Sequence, residues 1–100
     1  MAEEGNGPQA PTGPGGAPLL EYPCDYPVKA VGLAAADFAA HVRALVVAAA
    51  PGAAIGEAAV RPSSNGKYLA VTLPARLESE AQRRAIHEAL QADARVIYQL

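Results

Sequence analysis

Apolar residues alternate with polar or small ones in some stretches of this chain and recur at helical spacing in others, and the switches between these two periods outline its elements. Residues Val28 to Gly32 read as a strand with Val28 and Ala30 on one face and Lys29 and Val31 on the other. From Ala34 to Ala50 the period changes. Phe38, Val42, Leu45, Val46 and Ala49 follow the three-four spacing of an amphipathic helix, Asp37 stands near its N-terminal end, and Pro51-Gly52 stops it. Ile55 to Arg61 reads as a second strand. A third runs through Tyr68 to Leu73, where Leu69, Val71 and Leu73 form a clean apolar face opposite Tyr68, Ala70 and Thr72. Ser79 and Gln82 have capping-box spacing and open a second helix that aligns Ala85, Ile86, Ala89 and Leu90, and "ARVIYQL" closes the pattern as a strand.

The turn chemistry ties these elements together. Asn65-Gly66 predicts a two-residue type I′ hairpin closed by Ser64 and Lys67, because both central residues of that turn need positive φ. Pro62 has no backbone donor for a ladder, so its strand belongs at a sheet edge. The order strand, helix, strand, strand, helix, strand predicts an α+β, ferredoxin-like βαββαβ fold. This is a two-layer sandwich with a four-stranded antiparallel sheet in the order 4-1-3-2 and two helices on one face. The other face, carrying Lys29, Val31, Tyr68, Ala70, Thr72 and Ile97, is left bare.

Composition narrows the function classes. Residues 1-18 are Gly, Pro and small or polar residues that bury little against the entropy of ordering, so they read as a disordered tail before a single domain, 19-100. The chain is 51% hydrophobic, but much of that is alanine, and with one Phe, four Tyr and no Trp its core must rely on Leu, Val, Ile and Ala. A net charge of -2 supplies no broad basic field, which argues against nucleic acid and anionic membranes as partners. The "ALVVAAA" run at Ala44 to Ala50 is far short of the ~20 residues of a membrane helix, and "MAEEGNGPQA" has the wrong composition for a secretory signal. Cys24 stands alone, which leaves no intrachain disulfide or multi-cysteine zinc site and fits the cytoplasm.

No constellation for catalysis, metal or cofactor binding is visible. His41 and His87 lie on different helices without cysteine or carboxylate at ligand spacing and read as helix-flank residues. Cys24 has no base beside it, Ser63 and Ser64 lack a G-x-S-x-G context, and the Ser63 to Lys67 loop has one glycine and no following helix to cradle phosphate. Tyr68 is the sole aromatic on the bare face of the third strand, too few for base stacking, while Arg83 and Arg84 read as balancing Glu80 and Glu88. What remains is a contact surface: Lys29, Ser63, Ser64, Asn65, Gly66, Lys67 and Tyr68 are the candidate residues for a partner or ligand.

Several of these segments also carry a resemblance. "EYP" at Glu21 to Pro23, Lys29 and Gly32 of "VKAVG", "APG" at Ala50 to Gly52 and "PSSNGKY" at Pro62 to Tyr68 occur in an order and spacing similar to the small bacterial YbeD-like proteins of unknown function. The resemblance covers about Glu21 to Leu100. It implies a ferredoxin-like fold similar to ACT-type regulatory domains, which bind small molecules at interfaces, and it implies no established catalytic activity. Two expectations follow. One is a non-enzymatic regulatory or adaptor module that binds a protein partner or forms a homodimer through its open sheet face and edge strands. The other is an ACT-type sensor holding a small metabolite at a subunit interface.

Overall fold

The computed structural model describes residues 21–99. The expected tail, 1-18, and Leu100 lie outside the described residues. Seven elements follow in order: β1 (Cys24–Leu33), α1 (Phe38–Ala49), β2 (Ala54–Ile55), β3 (Ala59–Pro62), β4 (Tyr68–Leu77), α2 (Glu80–Gln91) and β5 (Val96–Gln99). The expected four strands give way to a five-stranded antiparallel sheet with the path β2-β4-β1-β5, β3 lying beside β2 on the outer side of β4.

β1 and β4 pair along their whole length, from Cys24 opposite Leu77 to Leu33 opposite Tyr68. Both strands run further than their apolar alternation alone predicts, and both pass through proline. Pro27 and Pro74 stand directly opposite each other. Neither has an N–H to donate, so they must form a non-hydrogen-bonded pair whose backbone polar groups point away from the β1–β4 seam. The Pro74 carbonyl accordingly accepts the Gly56 N–H from the outer side at 2.7 Å.

Pro74 also explains why the predicted strand Ile55 to Arg61 is broken. Its missing donor faces the neighbouring edge, where a continuous ladder would need it. The edge instead slips by one residue between the Ile55–Ala75 and Ala59–Thr72 pairs, a bulge at residues 56–58 that divides β2 from β3. Arg43 reaches over from α1 and donates to the freed carbonyls of Gly56 (2.7 Å) and Ile55 (3.3 Å). Pro62, on β3, lies at the edge as its chemistry requires.

Both helices cover the same face of the sheet. Val28, Ala30, Val71, Leu73, Ala75 and Leu77 from the strands meet Phe38, Val42 and Val46 of α1 and Ile86 and Leu90 of α2, all buried. α2 is capped much as its spacing predicts: Ser79 Oγ accepts the Gln82 N–H at 3.2 Å. The Gln82 side chain returns to the Glu78 N–H at 2.7 Å, one residue earlier than a capping box would place it.

α1 starts four residues later than its pattern suggests. The Ala34 N–H is drawn to the Lys67 carbonyl at 2.9 Å, which carries the chain past the end of β1 and keeps Ala34 out of the helix. Asp37 makes no cap bond, because its carboxylate grips the Arg95 guanidinium at 2.8 and 3.2 Å. Gly32 lies below this corner. A Cβ there would collide with the Arg95 carbonyl oxygen and the Phe38 ring, so the residue must be glycine for lack of space.

The approach to β1 is anchored by polar contacts to α2. The Tyr22 hydroxyl donates to Glu80 Oε1 at 2.6 Å, and Arg83 clasps both Glu80 oxygens. Arg84 also approaches Glu80, at 3.9 Å, so the arginine pair converges on one acid. Burial, then the bond to Glu80, pushes the Tyr22 hydroxyl up to about 12. Arg83, then Tyr22, holds the Glu80 carboxyl down to about 2.

Two outcomes are expected. Gly32→Ala forces Phe38 or the Arg95 backbone to shift and lowers unfolding free energy by about 1–3 kcal/mol, measurable by urea titration. Glu80 is depressed on folding, so its contribution is complete above about 4.5 and fades as pH falls toward about 2. The melting temperature therefore drops over that interval, and Tyr22→Phe makes the drop shallower in a calorimetric pH series.

Candidate functional site

The face of the sheet opposite the helices is set by strand alternation. Asp25, Pro27, Lys29, Val31 and Leu33 of β1 and Tyr68, Ala70, Thr72, Pro74 and Arg76 of β4 point to it, because their neighbours point into the core. Leu33 and Ile97 are more than half exposed, at 57% and 52%. For apolar residues of that size the exposure singles out this end of the face.

A cleft of about 380 Å³ opens here, lined by Val31, Arg61, Pro62, Ser63, Tyr68, Ala70 and Ile97. A second, of about 220 Å³, shares Ile97 and continues to Leu33, Ala34, Ala35, Ala94 and Arg95. The pairing explains how the first is assembled. Val31 stands opposite Ala70, and Ala70 opposite Arg61, so three strands contribute side by side. A register irregularity between Val31 and Gly32 admits Ile97 from β5. The small Ala70 side chain forms the hollow between larger neighbours.

The hairpin at the end of the cleft differs from the expected two-residue turn. Its closing pair is Ser63 and Tyr68, not Ser64 and Lys67, with the Ser63 N–H donating to the Tyr68 carbonyl at 2.9 Å. The four intervening residues fold around a β-turn in which the Gly66 N–H returns to the Ser63 carbonyl at 2.9 Å, and Gly66 takes the positive φ, 75°. Ser63 Oγ accepts the Tyr68 N–H at 3.0 Å and donates to Asn65 Oδ1 at 2.9 Å. The same Asn65 oxygen accepts the Lys67 N–H at 3.0 Å. This closed network, rather than the Asn-Gly step by itself, sets the loop length.

The seven candidate contact residues therefore separate. Ser63 and Tyr68 line the cleft, but the Ser63 hydroxyl is already engaged on both sides. Asn65 and Gly66 build the turn. Ser64 is exposed and its side chain makes no hydrogen bond among the described residues, and the Lys67 ammonium lies 5.5 Å from the centre of the Tyr68 ring. Lys29 is exposed on the bare face, opposite Thr72. The residue that sequence reasoning missed is Arg61. Its signal was present in the alternation, since Val60 pairs with core Val71 and Arg61 must then share the face of Ala70.

Other titratable groups meet away from the cleft. His41 Nε2 lies 2.9 Å from both carboxylate oxygens of Asp93, joining α1 to the α2–β5 turn, so His41 is not a bare helix-flank residue. The bond from His41 holds the Asp93 carboxyl below the usual range, and Arg95 does the same for Asp37. Among the described residues, no group of three His, Cys, Asp or Glu is placed to hold a metal, and no helix is long and apolar enough to cross a membrane.

The profile of the family described as "Protein of unknown function (DUF493)" matches residues 17–100. The chain belongs to this family. A UPF0250 protein of Hahella chejuensis is 38% identical over 80 residues, covering 80% of this chain and 88% of that protein. One from Ralstonia nicotianae is 40% identical over 74 residues, covering 74% and 76%. These are the small YbeD-like bacterial proteins of unknown function, as the motifs suggest. The solution structure of protein HP0495 from H. pylori is similar with a TM-score of 0.63 at 16% identity, covering 87% of this chain and 91% of that one. That likeness shows the shared α+β fold of an antiparallel sheet and two helices.

The hairpin network yields a paired expectation. Ser63→Ala strands the Tyr68 N–H and costs about 1 kcal/mol in urea unfolding, whereas Ser64→Ala stays within about 0.5 kcal/mol of the parent.

Proposed function

We propose that this protein is a non-enzymatic regulatory or adaptor module of the bacterial cytoplasm, whose open sheet face and adjoining edge strands receive a protein partner. The reading agrees with the ferredoxin-like, ACT-type architecture that the sequence motifs imply. The observation that carries it is the pair of clefts meeting at Ile97 on the face the helices leave bare. An apolar surface of this kind, flanked by charged side chains, is characteristic of interaction sites. The polar clusters argue in the same direction. His41 with Asp93, Asp37 with Arg95, and Tyr22 with Glu80 and Arg83 are each used to join one element to another, and none lines the larger cleft.

A second reading draws on the cleft's size. About 380 Å³ lies within the roughly 300–1,000 Å³ range of small-molecule sites, which favours a metabolite sensor as the alternative. A bound metabolite would raise the melting temperature by mass action. A thermal-shift screen with amino acids and other small metabolites tests it, and a flat response at saturating concentrations counts against it.

For the partner reading, tagged full-length protein is purified from its native host beside two variants. Ile97→Asp places a charge in the cleft, while Val47→Asp alters a comparably exposed apolar residue, 43% against 52%, on the helix side. A stoichiometric partner, or a dimer seen by light scattering, is expected with the parent and with Val47→Asp and is lost with Ile97→Asp. A strictly monomeric parent that retains no partner overturns the proposal.

A further inference from the structure

We infer that the sheet face receives an acidic, apolar-anchored segment of a different protein rather than a second copy of this chain, and that Arg61 is the residue that meets its carboxylate. This rests on the reading of the bare face as a docking surface and adds the chemistry of its occupant.

Arg76 is held by Asp25 at 3.2 Å, and Asp25 is the one acid at the bare-face positions of β1 and β4. Arg83 and Arg84 converge on Glu80, Arg95 pairs with Asp37, and Arg43 is engaged by backbone carbonyls. Arg61, Lys29 and Lys67 differ: each is exposed, and none has an ion pair or side-chain hydrogen bond among the described residues, Lys67 lying instead over the Tyr68 ring. Arg61 lines the larger cleft, and no acid among the described residues does. The unpaired charge at the bare-face positions of β1 and β4 and in the larger cleft is thus of one sign; Glu57, exposed and also without an ion pair among the described residues, lies outside both, in the bulge at residues 56–58.

Self-association fits that surface poorly. In a two-fold interface each face must satisfy the other, yet a copy of this face offers no unengaged acid to Arg61 or Lys29 at its β1 and β4 positions. Burying those cations against each other would remove them from water without compensation. A partner that brings its own carboxylates has no such cost, and a guanidinium presents a planar fork suited to receiving one in bidentate fashion.

The layout favours a chain over a single small acid. Arg61 is on an edge strand, Lys29 on a central one, and the apolar clefts extend from Pro62 past Ile97 to Leu33. Matching all of these takes more than one acidic group and more than one apolar side chain. A short segment alternating or interspersing the two meets that requirement.

The test is selection of a random dodecapeptide library on the full-length protein, with amide NMR shifts locating the bound peptides. Selected sequences should combine Asp or Glu with neighbouring apolar residues and shift Val31, Ala70 and Ile97. Their affinity should fall about tenfold or more with Arg61→Glu, fall as salt rises, and recover when the peptide acids are replaced by lysine. Arg61→Gln, with an intermediate loss, guards against a folding defect in the charge reversal. Peptides that shift the same face but lack acids and ignore Arg61→Glu overturn the inference while the docking reading stands. If no selected peptide shifts the face, both fail. A concentration-dependent dimer that Ile97→Asp dissociates would make a second copy the occupant, and displacement of the peptide by millimolar butyrate would make it a small acid. Either result overturns the inference.

Discussion

Two prolines facing each other across the centre of the sheet constrain everything around them. A ladder can pass through Pro27 and Pro74 only if that pair is one of its non-hydrogen-bonded steps. This choice sets the phase of every other pair between the two central strands. Odd-numbered residues of β1 from Asp25 to Leu33 turn their amides toward β5, and even-numbered residues of β4 turn theirs toward the opposite edge. The interruption of that edge at residues 56–58 and the grip of Arg43 on its carbonyls follow from this phase. So does the position of Arg61 beside Ala70, and with it one wall of the cleft.

The second organising feature is the corner where β1, α1 and the α2–β5 turn meet. Gly32 lets the Phe38 ring and the Arg95 backbone close over the sheet, Asp37 holds the Arg95 side chain, and His41 holds Asp93. Phe38, the chain's one phenylalanine, also lies 5.8 Å from the Arg95 guanidinium. Residues that carry the family resemblance serve this framework. Tyr22 ties the start of the fold to α2, Gly32 makes space, and Ser63 and Asn65 close the hairpin. In this chain those motifs describe how the sandwich is assembled.

Much of the architecture was legible because burial on one face imposes a period. The faces of β1 and β4, the apolar stripes of both helices and the Ser79 cap could be read directly. The split of the second strand could not, since its cause, Pro74, lies in a different strand and acts through a register that local pattern does not contain. The late start of α1 has a similar origin, in a bond from Ala34 to a carbonyl 33 positions away. At the candidate site, the bare face and the hairpin were readable. The importance of Arg61 was not, because it depends on which cations find acids after folding. Likewise the His41–Asp93 pair joins residues 52 apart and left no spacing signal.

The two flanks of the sheet are unequal in a way that bears on how the molecule behaves in a crowded cell. One is kinked at residues 56–58, carries Pro62, and has an arginine laid across its carbonyls. The other, β5, has β1 as its sole strand neighbour among the described residues, through a ladder that shifts register between Val31 and Gly32. Backbone presented to the kinked flank would meet a proline and an interrupted ladder, so that flank is poorly suited to templating another strand.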